Sequence, residues 1–384
     1  MKRLRWTWPA IVIALAVVIP WSIYALRPER PLSLVVLDKT VPFTNRLEHR
    51  SLFWLLRYRK FVRPDGRAYD ASTDYLGAFP PPADPGGRPE RIVDLGPGAV
   101  RGADVVYLVD TYGVYEEDLV SGSAMKAALE RSPKIYGGLL PEEAAAVDEA
   151  VREGAVLIAE FNTLGSPTGA EAREALERTL GVRWTRWIGR YFPSLDDERE
   201  VPEWLRRDWE REWGKPWEFR GPGYALLQDD AHCEVLRVGT ESKPIGLTLE
   251  RERPVDPILR GAWDATPYPY WFDVVAPGPG TRVLASFQWH LTPAGRERLA
   301  ARGLPERFAA VTLVEAPGAG PAYYFAGDFA DNPMPDFTVP LAGFPTWMRW
   351  LQAGRLAPSE SAFYWRFYAP TMTALLERAA ARRR

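Results

Sequence analysis

The stretch LLPEEAAAVDEAVREGAVLIAEF, residues 139–161, predicts a helix and the strand that follows it. Pro141, Glu142 and Glu143 suit the first turn of a helix, and Gly154 suits its end. The run after Gly154 is almost entirely apolar, as in a strand that is buried on both faces of a sheet. A helix joined to such a strand by a short turn is the repeating unit of an α/β fold.

Three other apolar segments have the same character and reach an acidic residue where the apolar run stops: LSLVVLD (32–38), ADVVYLVDTYG (103–113) and AYYFAGD (322–328). Helical patterns lie between the strands, among them TGAEAREALERTLG (168–181). This alternation predicts an α/β fold with a doubly wound, mostly parallel sheet.

The periodicity changes before the last of these strands, where short segments such as HCEVLRV and RVLASFQ resemble antiparallel strands. We therefore expect four parts: a transmembrane helix at 1–27, an α/β core at 28–189, a Trp-rich mixed α+β insertion at 190–315, and a return to the core with C-terminal helices at 316–384.

The N-terminus carries the basic residues Lys2, Arg3 and Arg5, followed by WTWPAIVIALAVVIPWSIYAL (6–26), which has no charge. At about 1.5 Å per residue, this run is long enough to span a bilayer core. The positive flank predicts a signal-anchor in the cytoplasmic membrane, with the N-terminus inside and the main domain outside. A cleaved signal peptide and a buried helix kinked at Pro20 are the alternatives.

Composition narrows the classes of function. A net charge of −2 and the lack of a basic motif argue against a nucleic-acid partner. The single Cys233 excludes an intramolecular disulfide, and with only three histidines a His- or Cys-rich metal site is not expected. We expect neither a metal nor another cofactor.

The acidic residues at the strand ends are the main functional signal. In an open α/β sheet, ligands bind beyond the carboxyl ends of the strands. Asp38, Asp110, Glu160 and Asp328 all occupy such positions in the predicted fold. They predict either a polar cleft or ordinary turn and helix caps.

The corner after the central strand, AEFNTLGSPT (159–168), is where many α/β enzymes place a nucleophile. Ser166 or Thr168 is expected to cap the next helix, whose first amide groups suit an anionic or carbonyl group. Ser166 lacks the G-x-S-x-G context of a nucleophile.

We interpret Glu160 and Asp328 as the candidate pair for acid–base chemistry. The candidate ligand-binding residues lie in the loops after the predicted strands: Asp38, Asp110, Thr111, Tyr112, Asn162, Asp331 and Asn332.

The order of LSLVVLD, ADVVYLVD, the 139–161 unit and the late AYYFAGD resembles the class I glutamine amidotransferase-like superfamily, and in particular its ThuA-like branch. The resemblance covers roughly residues 32–182 and 320–333. The whole chain also resembles uncharacterised bacterial membrane proteins with one N-terminal span. The superfamily implies the doubly wound sheet and a site at the central corner.

The superfamily also implies a cysteine nucleophile at this corner and a late histidine–glutamate pair near Asp328. This chain has Phe161, Asn162 and Thr163 at the corner and no histidine near Asp328. Glutaminase chemistry is therefore not expected.

Three hypotheses follow. The first is a membrane-anchored, extracytoplasmic binding or accessory protein of the cell envelope, with a catalytically degenerate amidotransferase-like fold and an envelope glycan as its ligand. The second is a hydrolase of envelope glycans that uses Glu160 and Asp328. The third is a scaffold for a membrane-protein complex, with the Trp-rich insertion as its contact surface.

Overall fold

The computed structural model describes residues 7–40, 46–81, 88–119, 133–228, 232–355 and 357–382. Within these ranges the strands are β1 (Arg30–Pro31), β2 (Leu34–Asp38), β3 (Phe61–Val62), β4 (Leu76–Phe79), β5 (Arg91–Val93), β6 (Val105–Asp110), β7 (Val114–Tyr115), β8 (Lys134–Tyr136), β9 (Val156–Ala159), β10 (Val182–Phe192), β11 (Gly223–Gln228), β12 (His232–Arg237), β13 (Ser242–Arg251), β14 (Ala265–Pro267), β15 (Trp271–Pro277), β16 (Arg282–Leu291), β17 (Arg307–Val314) and β18 (Ala322–Phe325).

The α-helices of the same described ranges are α1 (Thr7–Ala25), α2 (Leu47–Tyr58), α3 (Pro97–Val100), α4 (Pro141–Arg152), α5 (Ala170–Leu180), α6 (Glu203–Trp213), α7 (Pro293–Ala301), α8 (Phe344–Gln352), α9 (Glu360–Phe363) and α10 (Ala369–Arg382). A π-helical turn, Tyr364–Tyr368, joins α9 to α10.

A large sheet forms the centre of the molecule, with the strand order β14-β13-β16-β17-β18-β9-β6-β2-β4-β5. Its five strands from β18 to β4 run parallel to one another. β6 and β9 are apolar and almost fully buried, as the sequence predicts for strands covered on both faces. The α/β fold with a large sheet core is therefore confirmed.

The prediction of a mostly parallel sheet is wrong outside this centre. β5 and the four strands β17, β16, β13 and β14 all pair antiparallel. In this half of the sheet β13 leads to β14, and β16 leads through α7 to β17, so strands that follow one another in the chain pair antiparallel.

A second sheet, with the order β12-β11-β10-β15, is antiparallel throughout. It meets the rim of the large sheet where the Asp273 amide donates to the Ala326 carbonyl at 2.9 Å, and the Asp328 amide donates to the Trp271 carbonyl at 3.0 Å. The segment 190–315 contributes strands to both sheets. The division of the chain at residues 189 and 315 stays a prediction.

Helices α2 and α10 contact each other, and α4 contacts both α3 and α5. The residues buried beneath them form one continuous apolar core with an unusual number of aromatic rings. Trp54 is an example: its ring stacks on Tyr58 at 4.9 Å and meets Trp365 edge-on at 5.5 Å. Such rings contribute large apolar areas to the hydrophobic stabilisation of the fold.

The N-terminal apolar segment forms α1, as the sequence predicts. In the described part of the chain, no helix combines the length and the apolar character that a membrane crossing requires. The predicted transmembrane helix is therefore not supported. The basic residues Lys2, Arg3 and Arg5 lie outside the described residues.

Candidate functional site

The corner after β9 is a sharp turn centred on Asn162, whose φ of 66° lies in the left-handed region. Asparagine tolerates this conformation better than most residues. The Asn162 carbonyl accepts a hydrogen bond from Thr111 Oγ1 at 2.9 Å. The Asn162 side chain lies beside the Asp110 carboxyl group. Asn162 therefore links the end of β9 to the segment that follows β6.

A cavity of about 310 Å³ opens over this corner, between the rim of the large sheet and the second sheet. Aromatic rings make up much of its wall: Tyr112, Phe161, Trp184, Trp204 and Trp271. The rings of Phe161 and Trp271 are nearly parallel, with an interplanar angle of 9° and centroids 6.2 Å apart. We refer to this space as the central cavity.

Two carboxyl groups line the central cavity, Asp110 at the end of β6 and Asp328 shortly after β18. Burial raises the pKa of Asp110 well above its usual range. Burial also raises the pKa of Asp328 strongly, and the nearby carboxylates of Asp331, Asp110 and Glu160 raise it further. Both groups therefore hold a proton more readily than an exposed aspartate does.

Two arginines from β10, Arg186 and Arg190, face the same cavity. Arg190 forms an ion pair of 3.2 Å with Glu200, and its guanidinium carbon lies 5.6 Å from the centroid of the Trp271 ring. The cavity thus offers apolar ring faces, hydrogen-bond acceptors and cationic donors within one small volume.

Glu160 lies behind the cavity and does not line it. Its carboxyl group is fully buried and accepts hydrogen bonds from Tyr107 Oη and from the amides of Phe329 (3.0 Å) and Ala330 (3.1 Å). Burial raises the pKa of Glu160 to about 8, although these donors oppose the shift. Of the predicted pair, only Asp328 faces the cavity, and Glu160 holds the turn that follows Asp328.

Asp38 does not line the central cavity either, because its carboxylate binds other side chains of the protein. Its carboxylate accepts from His49 Nδ1 at 2.5 Å and from Thr40 Oγ1 at 2.6 Å, and His49 Nε2 lies 2.9 Å from the Ala71 carbonyl. Burial raises the pKa of Asp38, but the hydrogen bond and charge of His49 outweigh this, and the net shift is downward. Asp38 is thus half of a buried pair beneath the rim.

Of the other predicted binding residues, Tyr112 and Asn162 line the cavity, whereas Thr111, Asp331 and Asn332 lie around it. Thr111 is fully buried and holds the Asn162 carbonyl. Burial raises the pKa of Asp331 to about 6, and the negative charge of Glu360 makes a smaller contribution in the same direction. Asn332 is buried, and its side-chain amide lies 3.4 Å from the Tyr270 hydroxyl.

The predicted helix cap is wrong. α5 begins after Gly169, and no side chain caps it. The Thr168 hydroxyl instead accepts from the Leu139 amide at 3.0 Å and lies 3.0 Å from Thr111 Oγ1. Ser166 is exposed and lines the central cavity.

Sequence reasoning missed Arg186, Arg190 and Trp271. The segment VRWTRWIGRYF (182–192) contains a signal that could have found the arginines, because alternate residues of a strand share a face. Trp184, Arg186, Ile188 and Arg190 follow this period and line the cavity. Trp271 offers no comparable signal, because only the pairing of β15 with β10 brings it there.

Metal binding has no geometric support: the described ranges contain no group of three or more His, Cys, Asp and Glu side chains able to hold an ion. The lone Cys233 is buried in β12 of the second sheet, where burial raises the pKa of its thiol. A thiolate nucleophile is therefore missing from the corner at Asn162.

No protein-family model matches this sequence, and no curated protein matches it. Solved structures similar to the chain include a ThuA-like protein from Parabacteroides merdae, with 13% identity, a TM-score of 0.37, and coverage of 82% of this chain and 88% of that chain. A cytoplasmic protein from Salmonella typhimurium has 11% identity, a TM-score of 0.37 and coverage of 90% and 98%.

A β-galactosidase from Bacillus circulans has 11% identity and a TM-score of 0.35, and the match covers 81% of this chain but 30% of that chain. ThuA-like proteins, the branch that the sequence resembles, are thus among the similar structures at low identity. The resemblance to single-span membrane proteins finds no support among these matches. Such distant likenesses carry no statement about activity.

Proposed function

We propose that this protein binds a small saccharide of the cell envelope in the central cavity and performs no glutaminase chemistry. The observation that carries the proposal is the combination of parallel aromatic rings with two half-buried carboxyl groups around about 310 Å³. Ligand sites of this kind are concave, mostly apolar, and have a few polar groups that fix orientation.

The chemistry of a sugar matches each part of the wall. The C–H face of a pyranose ring packs on an aromatic ring such as Trp271, and its hydroxyl groups donate to Asp110 and Asp328. Arg186 and Arg190 suit ring oxygens or a carboxylate or phosphate substituent. The volume is at the lower end for ligand pockets, which favours one or two sugar rings.

The absence of a nucleophile supports binding over acyl transfer. Asn162 occupies the corner, where its carbonyl accepts a hydrogen bond from Thr111 Oγ1 and its side chain lies beside Asp110. An amide side chain held in this way is neither a nucleophile nor a base.

Isothermal titration calorimetry with a panel of envelope glycan fragments and precursors tests the proposal. We expect Trp271→Ala to weaken the affinity of a binding glycan by about ten- to a hundredfold, as for a buried aromatic anchor. Trp213→Ala, which removes a ring of α6 outside the central cavity, is the matched control and should leave Kd unchanged. The proposal is refuted if no glycan of the panel binds, or if the two variants bind with equal Kd values.

A carboxylate-dependent glycan hydrolase is the second candidate. The raised pKa of Asp328 inside the cavity favours it, because a general acid must hold its proton near neutral pH. Since Glu160 is fully buried behind the wall, Asp110 is the carboxyl group available as its partner. Mass spectrometry of the same incubations should show product with the wild type and none with Asp328→Asn, whereas binding without product excludes hydrolysis of those glycans.

The envelope location rests on the sequence of residues 1–26 alone. We propose that the N-terminus faces the cytoplasm and that the central cavity lies outside the cytoplasmic membrane. A C-terminal alkaline phosphatase fusion is then active, and an inactive, stably expressed fusion contradicts this orientation.

A further inference from the structure

Helix α8 carries apolar side chains on its exposed face as well as on the face that packs on the protein. The side chains that face the protein are Phe344, Met348 and the buried Gln352, spaced by four residues. The exposed face carries Trp347 and Trp350, which are 57% and 72% exposed. A helix on a water-facing surface normally places charged or polar residues there.

The neighbouring segments extend this apolar surface. Phe337, which precedes α8, is 77% exposed, and Leu351 is 47% exposed. The Ala342 amide lies 3.3 Å from the Pro20 carbonyl, which brings α1 against the start of α8. In the part of α1 whose side chains are described, residues 15–25, the large exposed side chains are apolar and each about half accessible: Leu15, Val17, Val18, Ile19, Trp21 and Ile23. We call this combined surface the α1–α8 face.

The charges around the face are mainly positive, and the adjacent carboxylate of Asp336 is paired with Arg50 and Arg57. Residues 337–355 contain no Asp or Glu, and they include Arg349 and the exposed Arg355. Tryptophan rings prefer the boundary between lipid headgroups and acyl chains, and arginines beside them attract anionic headgroups. In a contact between two copies of the chain, residues 337–355 would offer these arginines no acidic partner.

We propose that the α1–α8 face binds the surface of an anionic lipid bilayer, with Trp347 and Trp350 inserted at the headgroup boundary. In this arrangement α8 lies in the plane of the interface, as interfacial helices with an apolar face do. The inner side chains, above all Phe344 against Trp54 and Trp365, fix α8 to the core, so the whole domain is carried to the membrane surface.

Vesicle co-sedimentation of the full chain tests the proposal, with phosphatidylcholine alone and with added phosphatidylglycerol. The double variant Trp347→Ser/Trp350→Ser removes the outer rings only, and far-UV circular dichroism checks its fold. The control variant Ile92→Ser/Ile245→Ser removes two exposed apolar side chains elsewhere. Because the rings are to be inserted, we expect the double variant to lose about tenfold or more in partitioning to anionic vesicles, and the control to match the wild type.

Brominated lipid should quench the tryptophan fluorescence of the wild type and the control variant to the same extent, and that of the double tryptophan variant less. Equal partitioning of the double variant and wild type, or equal binding to neutral and anionic vesicles, overturns the proposal. So does a wild type that ignores vesicles but forms a dimer that the double variant abolishes, because the occupant is then a second copy. These outcomes are independent of glycan binding in the central cavity.

Discussion

Replacing Glu160 by glutamine should change how the stability of the protein depends on pH. The Glu160 carboxyl group is fully buried, and burial raises its pKa from 4.5 to about 8 in the folded state. Between these values the folded protein keeps a proton that the unfolded chain releases. Stability from this group is therefore complete below about pH 4.5 and is lost as the pH rises towards 8.

The magnitude follows from proton linkage. When the folded state holds one proton more than the unfolded chain, each unit of rise in pH lowers the free energy of unfolding by about 1.4 kcal/mol. Between pH 5 and pH 7 the loss is roughly 2–3 kcal/mol. Glutamine has nearly the same shape as protonated glutamate. It can accept from the amides of Phe329 and Ala330 while its own amide donates to Tyr107.

Urea denaturation at several pH values, followed by tryptophan fluorescence, measures this effect. Glu160→Gln should gain about 2–3 kcal/mol relative to the wild type as the pH rises from 5 to 7. Glu297→Gln, at an exposed position of α7, is the matched control and should follow the wild type. If the curves of Glu160→Gln and wild type stay parallel, the three donors keep the carboxylate ionised and the reasoning is refuted.

Two further substitutions test the packing beneath the site. His49→Gln should lower the free energy of unfolding, measured in urea, by about 3 kcal/mol, because it leaves the buried Asp38 without its charged partner. A decrease of less than about 1 kcal/mol would contradict the buried pair. Gly320→Ala should lower the free energy of unfolding by about 3 kcal/mol or more, since a Cβ atom there would lie 1.8 Å from the Ala155 carbonyl oxygen. Gly98→Ala, where a Cβ atom meets nothing within 4 Å, is the control for this change, and equal thermal stability of the two variants would show that the backbone gives way.

The parallel centre of the sheet was predictable because its strands are continuous apolar runs between helical patterns. The register pairs Asp38 with Asp110 and sets Tyr324 beside Ala159, so the acidic ends do meet at one edge. Which of them face a cavity was not predictable. The direction of each side chain depends on the turn after the strand, and Glu160 points inwards because amides of a distant loop supply its hydrogen bonds.

The opposite wall of the cavity is a product of long-range pairing. Trp184 and Trp271 are far apart in sequence, and the antiparallel pairing of β10 with β15 brings them to the same wall. The sequence alone therefore indicates the edge of the sheet that carries the site but not the full set of residues around it.

The borders of the large sheet bear on how the protein behaves at high concentration. Both outermost strands, β14 and β5, are only three residues long in the described part of the chain. Pro267 in β14 has no amide hydrogen, and Arg91 in β5 adds a charge. A strand from another molecule finds few backbone groups to pair with at either border, so this broad sheet is protected from growth into aggregates.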